Sequence, residues 1–392
     1  MNILFNATPL LTPLTGIGQY VLQLFTALQT HHQIHLFSYY PNKLENGLYL
    51  PHYNALESAD DPQKLQNQFQ KNLVHFLTKI PFQRDIRHFV EPYIFKKRCQ
   101  TLPEGTIYHE PSFVCFPFDG PKVVSVCDLS TFDCPEMHPK SRVRFLEKGM
   151  PQTLKEAEKI FVISHFTQER LQHWFKVDHS KIICTHLGAR WGFYPRNEFE
   201  SVQFLKKYNL KSKTYILSIG TLEPRKNLNT LFAAFSKLPQ HLQERYPLVV
   251  VGKDGWLEKG IVQSAMPLVE KGLLRFLGFV PDVDLPFLLS QAKAFSYPSL
   301  YEGFGLPVLE ALSCGVPTVA SNATSIPEVA GDAALLHEAE NVDALCQHLQ
   351  NVLENEELAQ TLIQKGLVQA KKFSWQQCAQ QTFEAYRQIL KC

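Results

Sequence analysis

The sequence predicts an α/β protein built from two doubly wound parallel-sheet domains. Three observations predict it. Short apolar, β-rich runs alternate with helical patterns through both halves of the chain, the arrangement of parallel sheets covered on both faces. The 392 residues allow two or three domains at roughly 150 residues each. A polar stretch from about Pro195 to Lys213 separates the two alternating halves.

The elements follow in order. Asn2–Asn6 reads as a strand, Ile17–Gln29 as a helix and Ile34–Tyr39 as a strand. Residues 41–66 are polar and rich in Pro, Asn and Gly, and are expected to form a long surface loop. Residues 64–100 look helical, with interruptions at Pro81 and Pro92. Strands are expected at Thr106–His109, Val123–Cys127, Lys159–Ile163 and Lys181–Thr185, with a helix over Pro139–Ala157. In the second half, Tyr215–Ile219, Leu248–Val251, Leu274–Leu277, Ala294–Tyr297, Val316–Ala320 and Ala333–Leu336 read as strands. Helical patterns such as Leu228–Ser236 and Leu285–Ser290 separate them. Ser374–Leu390 closes the chain as an amphipathic helix with Trp375, Cys378, Phe383, Tyr386 and Ile389 near one side.

Composition sets outer limits. With 45% hydrophobic and 19% charged residues the chain can bury ordinary globular cores. A formal charge of +2 gives no bulk attraction for nucleic acid, and none is expected as a partner. No apolar run approaches the ~20 residues of a membrane span. The opening Met1-Asn2-Ile3-Leu4-Phe5 lacks the basic start of an export signal. Nine cysteines are scattered without a CxxC, so a reducing cytoplasm is expected and no metal-ligand spacing is seen.

Three segments carry chemistry. Thr15-Gly16-Ile17-Gly18 lies between the first strand and first helix, where glycines let backbone approach a ligand and a helix start offers N–H groups to an anion. Gly220-Thr221-Leu222-Glu223-Pro224-Arg225-Lys226-Asn227 lies between a strand and a helix. Two cations at a helix start oppose the macrodipole, and an anionic ligand such as a diphosphate resolves the conflict. Tyr301-Glu302-Gly303-Phe304-Gly305-Leu306-Pro307-Val308-Leu309-Glu310 follows another strand. Its glycines expose backbone as a helix opens, and its two carboxylates are acceptors for sugar hydroxyls at different ends of one ligand.

Together these segments resemble family 4 of the retaining glycosyltransferases, which have the GT-B fold of two Rossmann-like domains around a cleft. The resemblance spans nearly the whole chain and points toward bacterial mannosyltransferases of O-antigen and polysaccharide assembly. It is also carried by His109-Glu110-Pro111-Ser112-Phe113, Cys127-Asp128-Leu129, Ile163-Ser164-His165, His186-Leu187-Gly188, Val251-Gly252-Lys253 and Phe373-Ser374-Trp375. It implies an acceptor-side domain over 1–195, a nucleotide-sugar domain over 205–373, and a C-terminal helix, 374–392, returning to the first.

The resemblance also implies roles. Glu310 accepts hydrogen bonds from the donor ribose, and Glu302 lies against the transferred sugar. Backbone at Gly303, Phe304, Gly305 and Leu306 holds sugar hydroxyls and the distal phosphate. Arg225 and Lys226 neutralise the leaving diphosphate, which leaves no need for a metal or other cofactor. Gly16 and Gly18, with Gly220, Gly252 and Lys253, belong to the donor surface. Phe279 and Val280 meet the base. The implied donor is a nucleotide diphosphate sugar, GDP-mannose first, and the acceptor a glycan or lipid-linked glycan.

The family usually has histidine where this chain has Cys127. Two consequences stay open: His109 or Asp128 supplies the missing polar contact, or donor choice and activity are altered. Residues Arg84 to Arg98 interleave bases with Phe82, Phe89, Tyr93, Ile94 and Phe95. They form either an interfacial helix on an anionic membrane or a helix packed on the first sheet. A nucleotide-sugar-binding protein without turnover is the other functional class that fits, and an inverting enzyme on the same fold is the alternative among transferases. A dinucleotide oxidoreductase lacks its GxGxxG after the first strand.

Overall fold

The computed structural model describes residues 1–11, 14, 16–41, 43–48, 91–253, 255 and 259–390. Two sheets organise the chain. The first contains β1 (Asn2–Asn6), β2 (His35–Tyr40), β3 (Lys43–Asn46), β4 (Ile107–Glu110), β5 (Lys122–Val126), β6 (Lys159–Val162) and β7 (Ile182–Cys184), in the order β3-β2-β1-β4-β5-β6-β7. The second contains β8 (Ile216–Ile219), β9 (Leu248–Val251), β10 (Leu274–Gly278), β11 (Ala294–Tyr297), β12 (Thr318–Ser321) and β13 (Leu335–His337), in the order β10-β9-β8-β11-β12-β13. Every neighbouring pair is parallel except β2 with β3. Runs such as Leu248-Val249-Val250-Val251 are apolar on both faces because helices cover both sides of the sheet.

The helices that position the site are α1 (Gly16–Leu28), α2 (Lys140–Glu156), α3 (His165–Phe175), α4 (Glu198–Lys207), α5 (Leu228–Lys237), α6 (Leu285–Ser290), α7 (Leu306–Ser313), α8 (Ile326–Ala330) and α9 (Trp375–Ile389). In α9 the Ser374 side chain caps the start by accepting from the Gln377 N–H at 3.1 Å. Its buried face, Trp375, Cys378, Phe383 and Tyr386 among others, lies against α1, with the Trp375 and Tyr20 rings 6.3 Å apart. The C-terminal helix therefore returns to the first sheet's layer.

Three expectations change. The loop expected over 41–66 contains β3, a charged edge strand antiparallel to β2; Lys-Leu-Glu-Asn shows little apolar alternation because an edge needs little. Residues 49–66, and the helical stretch up to residue 90, lie outside the described residues. The polar stretch 195–213 holds α4, nucleated by a capping box between Asn197 and Glu200. Its Phe204 stacks on Phe287 of α6, so this segment packs with the second sheet's layer. Finally, residues 91–99 are helical, and Phe95 is fully buried against Tyr39, Tyr108 and Phe116. That part of the 84–98 segment packs on the first sheet through Phe95 and leaves Tyr93 71% exposed on the outside; Phe82, Arg84, Arg87 and Phe89 lie outside the described residues. Among the described residues no helix is long and apolar enough to cross a membrane.

Candidate active site

Strand order in the second sheet reverses between β8 and β11, and the crevice at such a switch point, beyond the strands' carboxyl ends, is where doubly wound sheets bind ligands. The loops leaving β8 and β11 are the two segments singled out above. They are tied together: the Leu300 N–H donates to the Arg225 carbonyl at 2.8 Å, and Asn227 reaches the Pro298 carbonyl at 3.0 Å.

This pairing brings half-buried Arg225 and Lys226 and buried Glu302 into one cluster. Lys226 Nζ donates to Glu302 Oε1 at 2.7 Å and to the Tyr297 hydroxyl at 2.8 Å. Arg225 Nη1 lies 3.0 Å from Glu302 Oε2 and donates to the Tyr301 carbonyl at 2.7 Å, while Nη2 donates to Glu223 at 2.6 Å. Tyr297 and Ser299 hydroxyls add donors to Glu302 Oε1 at 2.8 and 2.6 Å. Burial alone would raise the Glu302 carboxyl, but Arg225 and Lys226 outweigh it and hold it down to about 2. Burial, followed by the charge of Arg225, pushes Lys226 down.

The physical setting of the two cations differs from the expected one. Pro224–Lys226 is a 3-10 turn, and Asn227 in a left-handed conformation starts α5. The cations therefore stand in a 3-10 turn immediately before the Asn227 cap of α5, and two internal carboxylates, Glu223 and Glu302, already balance them. What the cluster offers a ligand is a preorganised set of charges whose positive members come from one loop and whose negative members come from two.

Gly303 carries this cluster to the first domain. A Cβ there would fall 1.9 Å from the Cys127 carbonyl and 2.9 Å from Asp128 Cβ, so only glycine permits the contact. Ser164, which caps α3, also donates to the Gly303 carbonyl at 2.6 Å. Gly305, at φ +100°, opens α7 without any side-chain cap. Pro307 has no N–H, and the Val308 and Leu309 N–H groups donate to the Gly305 carbonyl at 2.9 and 3.2 Å, which leaves the Leu306 N–H for a ligand. Phe304 is buried and Leu306 half-buried. Asp128 orders its own turn by accepting from the Ser130 N–H and hydroxyl at 3.0 and 2.6 Å. Its charge acts on Arg225 across the cleft.

Glu310 sits on α7 with its side chain 1% exposed, clasped by both ends of the Arg190 guanidinium. Arg190 Nη1 continues to Asp282 at 2.7 Å, and Asp282 accepts from Gln19 of α1 at 2.7 Å. No sequence motif marks Gln19, Asp282 or Arg190. A lone arginine between apolar residues in the interdomain segment was the available signal.

The remaining candidates separate. Gly16 is exposed with open space around its Cα, while Gly18 is buried in contact with Leu14 and the Pro9 carbonyl. Gly220 lies beside the Lys226 side chain, and a Cβ on Gly252 would meet the Gly220 carbonyl at 1.8 Å, so Gly252 serves close strand-end packing. Lys253 Nζ stands 4.3 Å over the exposed Phe279 ring, and Val280 is buried.

His109 is corrected outright. It is fully buried between Phe5 and Phe161, with its ring nitrogens bonded to Tyr386 at 2.5 Å and Ser125 at 2.6 Å. Burial lowers it to about 3, so it is neutral and engaged inside the first domain. It cannot replace the missing cleft histidine. Cys127 itself is buried, its thiol pushed up by burial and directed toward the Pro111 carbonyl. A general acid or base is worth ~100–10,000-fold in rate, so His109→Gln should keep transfer within ~10-fold of wild type while lowering the melting temperature. A 100-fold loss with an unchanged melting temperature would return His109 to the chemistry.

Known proteins share the family and the fold. The family described as glycosyl transferases group 1 matches residues 202–368. The O-antigen chain mannosyltransferase B of Escherichia coli is 37% identical over 390 residues, covering 99% of this chain and all of the relative. Among solved structures, Anabaena Alr3699/HepE in complex with UDP-glucose superposes with a TM-score of 0.71 at 16% identity, over 99% of this chain and 100% of that one. WaaG, a glycosyltransferase involved in lipopolysaccharide biosynthesis, gives 0.68 at 13% identity, over 99% of both chains. Identity along the full length, with the same two-domain architecture, places this chain in the group 1 glycosyltransferases, and it has their GT-B fold.

Proposed function

We propose that this glycosyltransferase moves mannose from a nucleotide diphosphate donor, GDP-mannose first, to a glycan or lipid-linked glycan in O-antigen assembly. The single observation that carries the chemistry is the Arg225–Lys226–Glu302 cluster at the switch point, facing Cys127 and Asp128 across Gly303. The choice of sugar and pathway rests on the Escherichia coli relative.

In the reaction the bond from the anomeric carbon to the diphosphate oxygen breaks, and a bond to an acceptor hydroxyl forms with loss of its proton. Negative charge grows on the departing diphosphate. Fixed positive groups aimed at that oxygen stabilise the transition state without reorganising. Arg225 and Lys226 are such groups, and the Leu306 N–H at the start of α7 adds one donor. Two half-buried cations, held in place by Glu223 and Glu302, supply N–H donors and positive charge where a divalent ion serves elsewhere, which supports a metal-independent transfer. Glu302, held ionised, accepts from hydroxyls of the transferred sugar. The first domain, touching Gly303, limits water at the reacting carbon. Retention of configuration fits the family resemblance, with the acceptor approaching on the face the diphosphate leaves.

The test is turnover of GDP-mannose, UDP-glucose and other nucleotide sugars with mannose-terminated acceptors, with and without chelator, and the product anomer read by NMR. The reading expects α-mannosyl product from GDP-mannose, undiminished by EDTA. Binding of donor without any transfer across acceptors would favour the non-catalytic alternative, and a β-linked product would overturn retention.

A further inference from the structure

A second group of side chains gathers at the domain seam, away from the donor cluster. His165 opens α3, Cys184 ends β7, His186 follows two residues on, and Glu328 belongs to α8 in the second domain. One imidazole nitrogen from each histidine, the Cys184 Sγ and a Glu328 oxygen all lie within 4.8 Å of one another. Cys184 Sγ is 3.6 Å from His186 Nε2, which is 2.5 Å from Glu328 Oε1. The His165 and His186 rings meet edge to face, centroids 5.1 Å apart. His165 is exposed and the other three half-buried, so an ion has a path in.

We propose that His165, Cys184, His186 and Glu328 form a mononuclear site for a borderline divalent transition metal, Zn²⁺ foremost. The donor set decides the class. One thiolate and two imidazoles suit zinc and exclude calcium or magnesium, which take oxygen ligands. Zinc bonds of ~2.0–2.3 Å place tetrahedral ligand atoms ~3.3–3.8 Å apart. The Cys184–His186 separation already lies in that range; the His186–Glu328 contact opens and the longest separations shorten, each by ~1 Å. On binding, the Cys184 thiol gives its proton to solvent and its sulfur to the ion, and the proton that His186 Nε2 shares with Glu328 leaves that nitrogen for solvent or for Nδ1, so that the imidazole binds neutral. Glu328 exchanges its hydrogen bond with His186 for the ion. Its other oxygen stays on the His165 N–H, 3.1 Å away, which holds the carboxylate in orientation.

The sequence shows no complete motif because only Cys184 and His186 are neighbours in it; His165 comes from the start of α3 and Glu328 from the second domain. That division gives the site its consequence. A bound ion staples α8 to the α3 and β7 end of the first domain, next to Ser164, whose hydroxyl holds Gly303. The metal is a clasp on the closed cleft and not a participant at the reacting carbon, so this inference stands apart from the donor reading.

The experiment titrates Co²⁺, then Zn²⁺, into chelator-stripped full-length protein under reducing conditions. Expected are one Co²⁺ per chain, a near-ultraviolet thiolate charge-transfer band, visible tetrahedral bands, displacement by Zn²⁺, and a Zn²⁺-dependent rise in melting temperature. Cys184→Ser should abolish the charge-transfer band. His165→Ala and Glu328→Gln keep the thiolate and should weaken binding by at least ~10-fold, which covers the case of a poorly folded Cys184 variant. No charge-transfer band at saturating Co²⁺, a band of full amplitude in Cys184→Ser, or unchanged affinity in both His165→Ala and Glu328→Gln overturns the site.

Discussion

Arg225→Ala and Lys226→Ala each lower glycosyl transfer by ~100-fold or more, the cost of removing one preorganised donor to transition-state charge. The loss should fall on kcat, because the diphosphate gains charge only as its bond to the sugar breaks. Stability must be followed alongside. Arg225 neutralises Glu223 and Glu302, both buried, so its removal leaves carboxylates without a partner as well as a phosphate without a donor. A pH series separates the two effects. Glu302 is lowered from 4.5 to about 2 in the folded chain. Its interactions therefore stabilise the fold above its ordinary pKa, and that stability drains away as pH falls from 4.5 toward 2. In Arg225→Ala the carboxyl rises toward its ordinary range or beyond, so this acid-side loss flattens in melting curves. Arg225→Lys restores the charge without the fork. It should recover the acid-side stability and only part of the rate. Wild-type kcat in both alanine variants, with folded protein, removes the cations from the mechanism.

The frame of the protein was legible because the parallel strands are short, apolar on both faces and bounded by turn residues. Leu248–Val251, Ala294–Tyr297 and Leu285–Ser290 fall where their patterns place them. Elements whose burial is one-sided were harder: β3 is a charged edge, and α4 shows a capping box but buries only Leu205 of its apolar residues fully. The site divides along the same line. Glycines and charges clustered within ten residues, as at 220–227 and 301–310, announce themselves. Pairings made by topology do not. His109 stands in a promising string, yet β4 is a central strand, so its side chain goes into the core between Phe5 and Phe161. Arg190 and Glu310 are 120 positions apart, and nothing in either neighbourhood names the other.

Arg190 carries the second large effect. Its fork occupies two of the acceptor sites on Glu310 and leaves the others for the ribose hydroxyls that the family resemblance assigns there. Burial pushes the Glu310 carboxyl up, and Arg190 is the foremost influence pulling it back. Arg190→Ala therefore strands a carboxylate that is 1% exposed. Breaking a buried pair from one side costs ~3–5 kcal/mol, and the lone carboxyl takes up a proton instead. A protonated Glu310 loses charge-assisted hydrogen bonds to the donor, each worth ~1.5–3 kcal/mol, so the donor KM should rise ~10–100-fold with a smaller change in kcat. A merely structural salt bridge predicts something else, and the double variant Arg190→Leu/Glu310→Leu tells them apart. Replacing both partners by apolar groups removes the unpaired charge and should return most of the stability, yet it cannot return a carboxylate to the ribose. Restored melting temperature with a persistently high donor KM identifies Arg190 as the residue that keeps Glu310 ionised and aimed. Recovery of both would reduce the pair to packing and move the ribose contact elsewhere in the cleft.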